Sequence, residues 1–215
     1  MAVLRDATVH DLPALYRVCL LTGAAGRDAS DAHADPDLPG HLFAGPYVVF
    51  PDALALVVQD AGGVAGYCLG VPDTPAFEDW MEEVWLPPLR ERHPRGSGGT
   101  PADEGLIGWF HSPLRPTARF VDEYPAHLHV DLLPRLQGRG WGRRIMDAMT
   151  ERLAAAGAGG VHVGVDPANT GALAFYERLG FRELGGPEGG RFLGLHLAPS
   201  GTDTSSSGTD TGHPG

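Results

Sequence analysis

The chain has no lysine. All 16 of its basic residues are arginine, set against 27 acids for a formal net charge of −11. Without lysine, the phosphate-binding loop that ends Gly-Lys-Ser/Thr is excluded. The acidic balance argues against nucleic acid as the main partner; it suits a cationic substrate, or serves solubility alone. Cysteine is scarce: Cys19 and Cys68 each sit in an apolar segment, as buried small hydrophobes do, and supply neither a disulfide framework nor a metal pair. No apolar run is long enough to cross a membrane, and the opening MAVLRDATVHD has no signal-peptide pattern. A cytoplasmic location with no membrane partner is therefore expected. The histidines show no ligand spacing, which implies no metal. There is no internal repeat. What is present is a 215-residue chain, 42% hydrophobic, enough for one domain with a substantial core. Residues 199–215 are mostly Ser, Thr, Gly and Asp, with Pro199, His213 and Pro214 and no apolar residue able to pack. The expected organisation is one domain over 1–198 and a disordered tail over 199–215.

The stretch LHVDLLPRLQGRGWGRRIMDAMTE, 128–151, organises the rest. Over 127–133, Leu128, Val130 and Leu132 alternate with His127, His129 and Asp131, which predicts a strand with one apolar and one polar face. Pro134, with no N–H to donate, ends the ladder. Then come Gln137, Gly138, Arg139, Gly140, Trp141 and Gly142. A helix is predicted over 143–156, with Ile145, Met146, Met149 and Leu153 on one stripe. Glycines at a helix start let a ligand approach the first free N–H groups, forming an anion site suited to a pyrophosphate. The dinucleotide fingerprint GxGxxG does not fit, because Gly138, Gly140 and Gly142 are spaced by two. On this stretch alone two readings stay open: a ligand site, or a glycine-rich cap of the helix.

A second stretch, NTGALAFYERLGF over 169–181, bears on the choice. The Gln-x-x-Gly-x-Gly spacing is followed, after one helix and one strand over 161–165, by Asn169, Phe175-Tyr176 and Leu179-Gly180-Phe181. This order resembles the GNAT superfamily of N-acetyltransferases. The resemblance implies acetyl-CoA as acyl donor, with its pyrophosphate on Gln137, Gly138, Arg139, Gly140, Trp141, Gly142 and Arg143. It implies an α/β (α+β) fold, a mixed, mostly antiparallel sheet of six to seven strands flanked by helices. In that fold the central strand splays from its neighbour, so main-chain groups of Leu132 and Leu133 would hold the pantetheine arm. Asn169 would bond the arm or the pyrophosphate, or cap its helix. Tyr176 would face the coenzyme sulfur, or serve as a core aromatic.

A narrower likeness rests on the Pro before the first hairpin strand, Gly66-Tyr67, the segment Asp73 to Phe77 (DTPAF) and Asp131-Leu132-Leu133-Pro134. These resemble the acetyltransferase-like C-terminal domain of O-GlcNAcase enzymes and its free-standing bacterial relatives, over roughly residues 3–197. In the O-GlcNAcases that domain is regarded as a pseudo-acetyltransferase lacking key acetyl-CoA contacts. Here the loop QGRGWG is intact, so cofactor binding is expected.

The remaining segments read as follows. A strand is predicted over 3–8. A helix starts at Asp11, with Leu12, Leu15, Val18, Cys19 and Leu21 at helical spacing and Pro13 in its first turn. Residues 22–45 form a connection with one short helix; in the family this region borders the acceptor pocket. Its acids Asp28, Asp31, Asp35 and Asp37 attract a cationic acceptor, or are simply solvated. Runs over 53–59 and 64–70 form a hairpin. A helix over 77–89 would turn Trp80, Met81, Val84 and Trp85 inward. Residues 90–104 read as a loop, 111–116 carry no clear pattern, 119–124 lead into the central strand, and 191–197 form a last strand.

Acetyl transfer to an amine needs the thioester held beside the nitrogen, a base for its proton and a donor for the leaving thiolate. The family's usual base is a glutamate on the central strand, and 127–133 contains none. Asp131 is the candidate base, directly or through water, with His129 the alternative and Asp166 a weaker one. Asp131 could instead accept loop N–H groups, and His129 could be an ordinary hydrogen-bonded strand histidine. The expected function is acetyl-CoA-dependent N-acetyl transfer to a small-molecule or protein amine, with Tyr176 protonating sulfur. The alternative is an acetyl-CoA-binding pseudo-acetyltransferase acting as a sensor or interaction module. A monomer or homodimer is expected.

Overall fold

The computed structural model describes residues 1–113, 115, 119–185 and 190–198. The segment 199–215, read above as a tail, lies outside them. Seven strands, β1 (Val3–Asp6), β2 (Leu54–Asp60), β3 (Gly63–Val71), β4 (Ala126–Leu132), β5 (Gly160–Val165), β6 (Arg182–Glu183) and β7 (Arg191–His196), form one sheet in the order β1-β2-β3-β4-β5-β7-β6. All neighbours are antiparallel except β4 and β5. The helices are α1 (Leu12–Thr22), α2 (Leu38–Phe43), α3 (Pro46–Val49), α4 (Thr74–Trp80), α5 (Leu86–Arg92), α6 (Pro101–His111), α7 (Trp141–Ala155) and α8 (Thr170–Arg178).

Strand alternation sorts the two faces. Gly70 and Leu128 are paired and face α7; a Cβ on Gly70 would lie 3.1 Å from the Met149 sulfur. Tyr67 and Asp131, also paired, face α1, where Cys19 and Thr22 sit beside them. Helix α7 buries the predicted stripe Ile145, Met146, Met149 and Leu153, each at most 1% exposed. Both cysteines are free and buried. Parallel strands need a crossover, and α7 supplies it between β4 and β5. That parallel pair is joined only at Ala126↔Val161 and His127↔His162. Beyond His127 the two strands separate and leave a gap.

Two segments depart from the sequence reading. The single helix expected over 77–89 is α4, a π turn (Met81–Trp85) and α5. Pro87 and Pro88 have no N–H for the carbonyls one turn back, so regular α bonding fails ahead of them and the turn widens. The extra residue rotates the face, leaving Val84 54% exposed while Met81 is buried. Helix α6 begins inside the stretch read as loop. Thr100 Oγ1 accepts from the Asp103 N–H at 3.1 Å, Pro101 follows the cap, and Ile107 and Phe110 are buried. The helix-weakening glycines Gly105 and Gly108 mask its periodicity.

Candidate active site

The gap beyond His127 opens into a cleft of about 680 Å³. Its walls are the second half of β4 (Val130, Asp131, Leu132), the glycine loop, the start of α8 and the turn after α1. Gly138 and Gly140 take left-handed φ values of 68° and 79°, which favour glycine. A Cβ on either would meet nothing within 4 Å, so the space beyond this loop is open. Gly140 is the residue before α7, whose first N–H groups have no partner within the helix. Arg27, Arg143 and Arg178 line the same cleft and add positive charge. Open backbone donors, a helix start and arginines together fit a pyrophosphate.

The candidate residues distribute unevenly around this cleft. Leu132, Gln137, Gly138, Gly140, Gly142, Arg143, Asn169, Tyr176 and Asp131 line it; Leu133, Arg139 and Trp141 do not. Leu133 donates its N–H to the Ala65 carbonyl at 2.8 Å and accepts from the Leu136 N–H at 2.9 Å, so its main chain is already used. Alternation turns the main-chain groups of Val130 and Leu132 the other way, toward the gap. Of the two, Val130 and not Leu133 has main-chain groups that face the gap. Gln137 ties the loop back to the strand by donating to the Leu132 carbonyl at 2.8 Å. Trp141 carries the Arg144 guanidinium 5.2 Å from its ring centroid. Gly142 lets the helix meet the Phe175 ring, which a Cβ would approach to 3.1 Å. Asn169 Oδ1 accepts from the Ala172 N–H at 3.0 Å as the α8 cap, while its Nδ2 faces Gly26.

Asp131 and Tyr176 both line the cleft. Asp131 Oδ2 accepts from the Tyr67 hydroxyl at 2.6 Å. Burial raises its pKa, opposed by the hydrogen bonds from Tyr67 and Thr22. Tyr176 is 6% exposed, packs on Phe175 and Phe181, and burial raises its phenol pKa. Its hydroxyl has no hydrogen-bond partner among the described residues. The acids Asp28, Asp35 and Asp166 instead cap local turns, to Ser30, Asp37 and Ala168 N–H groups at 2.8, 3.0 and 2.8 Å. None of Asp28, Asp31, Asp35, Asp37 or Asp166 lines this cleft or the cavity below.

His129 lies elsewhere. With His127 it lines a separate cavity of about 260 Å³ against the first half of β4, walled also by Phe43, Tyr47, Phe77, Met81, Leu86, Trp109, His162 and Phe192, with Glu78 and Arg115 among the lining residues. His129 and Val130, consecutive on β4, thus line the cavity and the cleft respectively. A hydrogen-bond chain backs the cavity. Thr74 Oγ1 lies 2.7 Å from the Pro125 carbonyl and 2.8 Å from His127 Nδ1; Tyr47 Oη lies 2.7 Å from His127 Nε2 and 2.9 Å from His129 Nε2. Burial lowers the pKa of all three histidines, with neighbouring imidazoles adding to the effect on His127 and His129. His129 and His162 are each pushed down to about 4. The sequence marked His129 as a polar-face residue but held no sign of Tyr47, Thr74 or His162 around it. No group of three or more potential metal ligands occurs among the described residues. Nor is any helix there long and apolar enough to cross a membrane.

Comparison with known proteins agrees with this geometry. The family model described as acetyltransferase (GNAT) family matches residues 27–181. Protein O-GlcNAcase of Rattus norvegicus is 24% identical over 159 residues, covering 73% of this chain and 17% of that protein; the Mus musculus protein matches equally. The chain thus spans about 17% of the length of these curated relatives. Among solved structures, SsHAT is 40% identical with a TM-score of 0.84, covering 92% of this chain and 98% of that one. The putative acetyltransferase yncA of Salmonella typhimurium, solved with its cofactor acetyl-CoA, shares the fold at 17% identity and a TM-score of 0.52, over 92% of this chain and 97% of that one.

Proposed function

The chain belongs to the acetyltransferase (GNAT) family, and on that premise we propose that it transfers an acetyl group from acetyl-CoA to an amine by direct attack. The observation that carries this reading is the parting of β4 from β5 in front of an open glycine loop at the start of α7. Acetyl-CoA supplies the acetyl thioester: the amine nitrogen bonds to its carbonyl carbon, the C–S bond breaks, and its electron pair leaves on sulfur. In our reading the N–H groups of Gly138, Gly140 and Gly142 and the nearby Arg27, Arg143 and Arg178 hold the pyrophosphate. Val130 and Leu132 main-chain groups and the Asn169 amide hold the arm. The free Tyr176 hydroxyl gives its proton to sulfur and recovers one from solvent. The proton leaving nitrogen goes to His129, which lines the cavity beside the cleft; Asp131, bound by Tyr67, is its rival. When the amine starts as an ammonium, one proton is released to solvent per turnover.

A second reading, a pseudo-acetyltransferase that binds acetyl-CoA as a sensor or interaction module, draws on the likeness to O-GlcNAcase. A thiol-release assay over diverse amines, paired with calorimetry for acetyl-CoA, separates the two. Acetyl-CoA binding with amine-dependent thiol release is expected. Binding without release for any amine favours the second reading, and no binding at all overturns both.

A further inference from the structure

The hydrogen-bond chain behind the cavity has a direction. Two oxygens 2.7 Å apart need a proton between them, and a carbonyl can only accept, so Thr74 donates to Pro125. Thr74 Oγ1 then accepts from His127 Nδ1–H. Neutral His127 has only a lone pair left at Nε2, which accepts the Tyr47 hydroxyl. Tyr47 oxygen in turn accepts from His129 Nε2–H, so His129 Nδ1 carries a lone pair. His162 reaches the same state independently: its Nδ1 must donate to the Tyr124 carbonyl at 2.8 Å, leaving a lone pair on Nε2. Neither free nitrogen has a protein partner among the described residues. Neither is sealed off, since the buried unpaired side-chain nitrogens there belong to His41 and His93.

The sheet wall of a cavity lined mostly by aromatic and aliphatic side chains therefore offers two hydrogen-bond acceptors. A third group, Glu78, is half-buried; Arg115 pairs with it loosely at 3.7 Å and more closely with Asp79, at 2.8 Å, so an amine can compete for the carboxylate. Acceptors and a carboxylate set among aromatic rings complement an amine head on an apolar body.

We propose that this cavity is the acceptor site and that it takes a primary amine carried on a flat apolar body, of the arylalkylamine type, with its nitrogen presented to His129 Nδ1. The idea rests on the acetyl-transfer reading and narrows it. A polyamine, an aminoglycoside or an extended peptide would leave aromatic walls facing polar atoms. In the step, the nitrogen lone pair forms the N–C bond, the C–S pair leaves with sulfur, and the nitrogen's proton passes to His129 Nδ1. That nitrogen becomes far more acidic once bonded to the carbonyl carbon, so a weakly basic imidazole suffices to take it.

The test measures binding and turnover separately on the full chain saturated with CoA or acetyl-CoA. Calorimetry compares 2-phenylethylamine and tryptamine with spermidine, kanamycin and a lysine peptide, and thiol release is followed for each. The arylalkylamines should bind tightest and release thiol. Glu78→Gln should weaken their binding about tenfold, the scale of one charge-assisted contact, while leaving acetyl-CoA affinity unchanged. Arylalkylamine binding that is sensitive to Glu78→Gln but gives no thiol release supports the cavity assignment and overturns acetyl transfer. Thiol release with spermidine, kanamycin or the peptide, and no binding of arylalkylamines, overturns the cavity assignment and leaves acetyl transfer standing. Arylalkylamine binding indifferent to Glu78→Gln in a folded variant overturns it as well.

Discussion

The cleft along the second half of β4 is lined by glycines, arginines and strand residues beside the gap, the cavity along the first half by aromatic, aliphatic and imidazole side chains. The cleft presents N–H donors and left-handed glycines from the loop before α7, with arginines from the turn after α1, from α7 and from α8. The cavity gathers aromatic rings and imidazoles from α2, α3, α4, α6, β4, β5 and β7. A donor common to a whole family can be held by backbone geometry, which tolerates side-chain drift. A particular acceptor must be recognised by side chains, and these can change without disturbing the donor. The two regions should therefore fail independently when perturbed.

The largest effect is expected in the cleft. Gly140→Val forces a β-branched side chain into a left-handed position at the start of α7 and fills open space beyond the loop. Folding should lose about 1–2 kcal/mol from the backbone strain. Acetyl-CoA affinity should fall by roughly a hundredfold or more, because the phosphates lose their donors. Arylalkylamine binding in the cavity should survive. Simultaneous loss of both in a chain that still unfolds cooperatively would show that the two regions are not separable.

Next in size is Tyr176→Phe, which keeps the ring packed on Phe175 and Phe181. If the hydroxyl protonates sulfur, kcat should fall by roughly ten- to a thousandfold, with little change in the KM for acetyl-CoA. An unchanged kcat would return Tyr176 to a packing role and leave sulfur's proton to solvent.

How much of this was legible in the sequence follows the same division. The loop QGRGWG and the run from Asn169 to Phe181 could be read because their chemistry is local: backbone N–H groups, a cap and a ring within a few residues of one another. The β2–β3 hairpin, the α7 stripe and the buried cysteines were legible for the same reason. The cavity was not, because its bonds join Tyr47 to His129 and Thr74 to His127, pairs more than fifty residues apart. Leu133 was read as a cofactor contact because the pattern gives the strand but not which neighbour each carbonyl faces. Val84 was read as inward because helical periodicity cannot anticipate a π turn forced by prolines downstream.

The cavity has its own signature in stability. His129 and His162 have pKa values pushed down to about 4 by burial, against about 6.5 in the unfolded chain. Between those values the unfolded chain binds protons that the folded chain refuses, so stability rises with pH across this window. It is fully present above about 6.5 and lost as pH falls toward 4. One such histidine contributes on the order of 3 kcal/mol over the window. Glu78 and Asp131, whose pKa values burial raises, take up protons in the folded state and offset part of the loss. The melting temperature should drop by several degrees from pH 7 to pH 5, and His162→Gln should flatten the profile. A flat profile in the unmodified chain would mean that these imidazoles are hydrated in solution.

The smallest effect is expected where the sequence pointed most directly. Asp131 was the leading base candidate as the only carboxylate on β4, but its Oδ2 is held by the Tyr67 hydroxyl at 2.6 Å and it lines the cleft rather than the cavity. Asp131→Asn keeps an oxygen to accept from Tyr67 and removes the negative charge. Because Asp131 lines the cleft and not the cavity that takes the amine, removing that charge is mild. Rate and acetyl-CoA affinity should each change by less than about tenfold, below the loss usual for a removed general base. The limb of the pH–rate profile should stay where it is. A fall of a hundredfold or more in kcat, with that limb abolished and acetyl-CoA affinity intact, would move the proton-accepting role from His129 to Asp131. The division between cleft and cavity would then run through the reacting atoms themselves, with the base on the donor's side and only the body of the acceptor in the aromatic pocket.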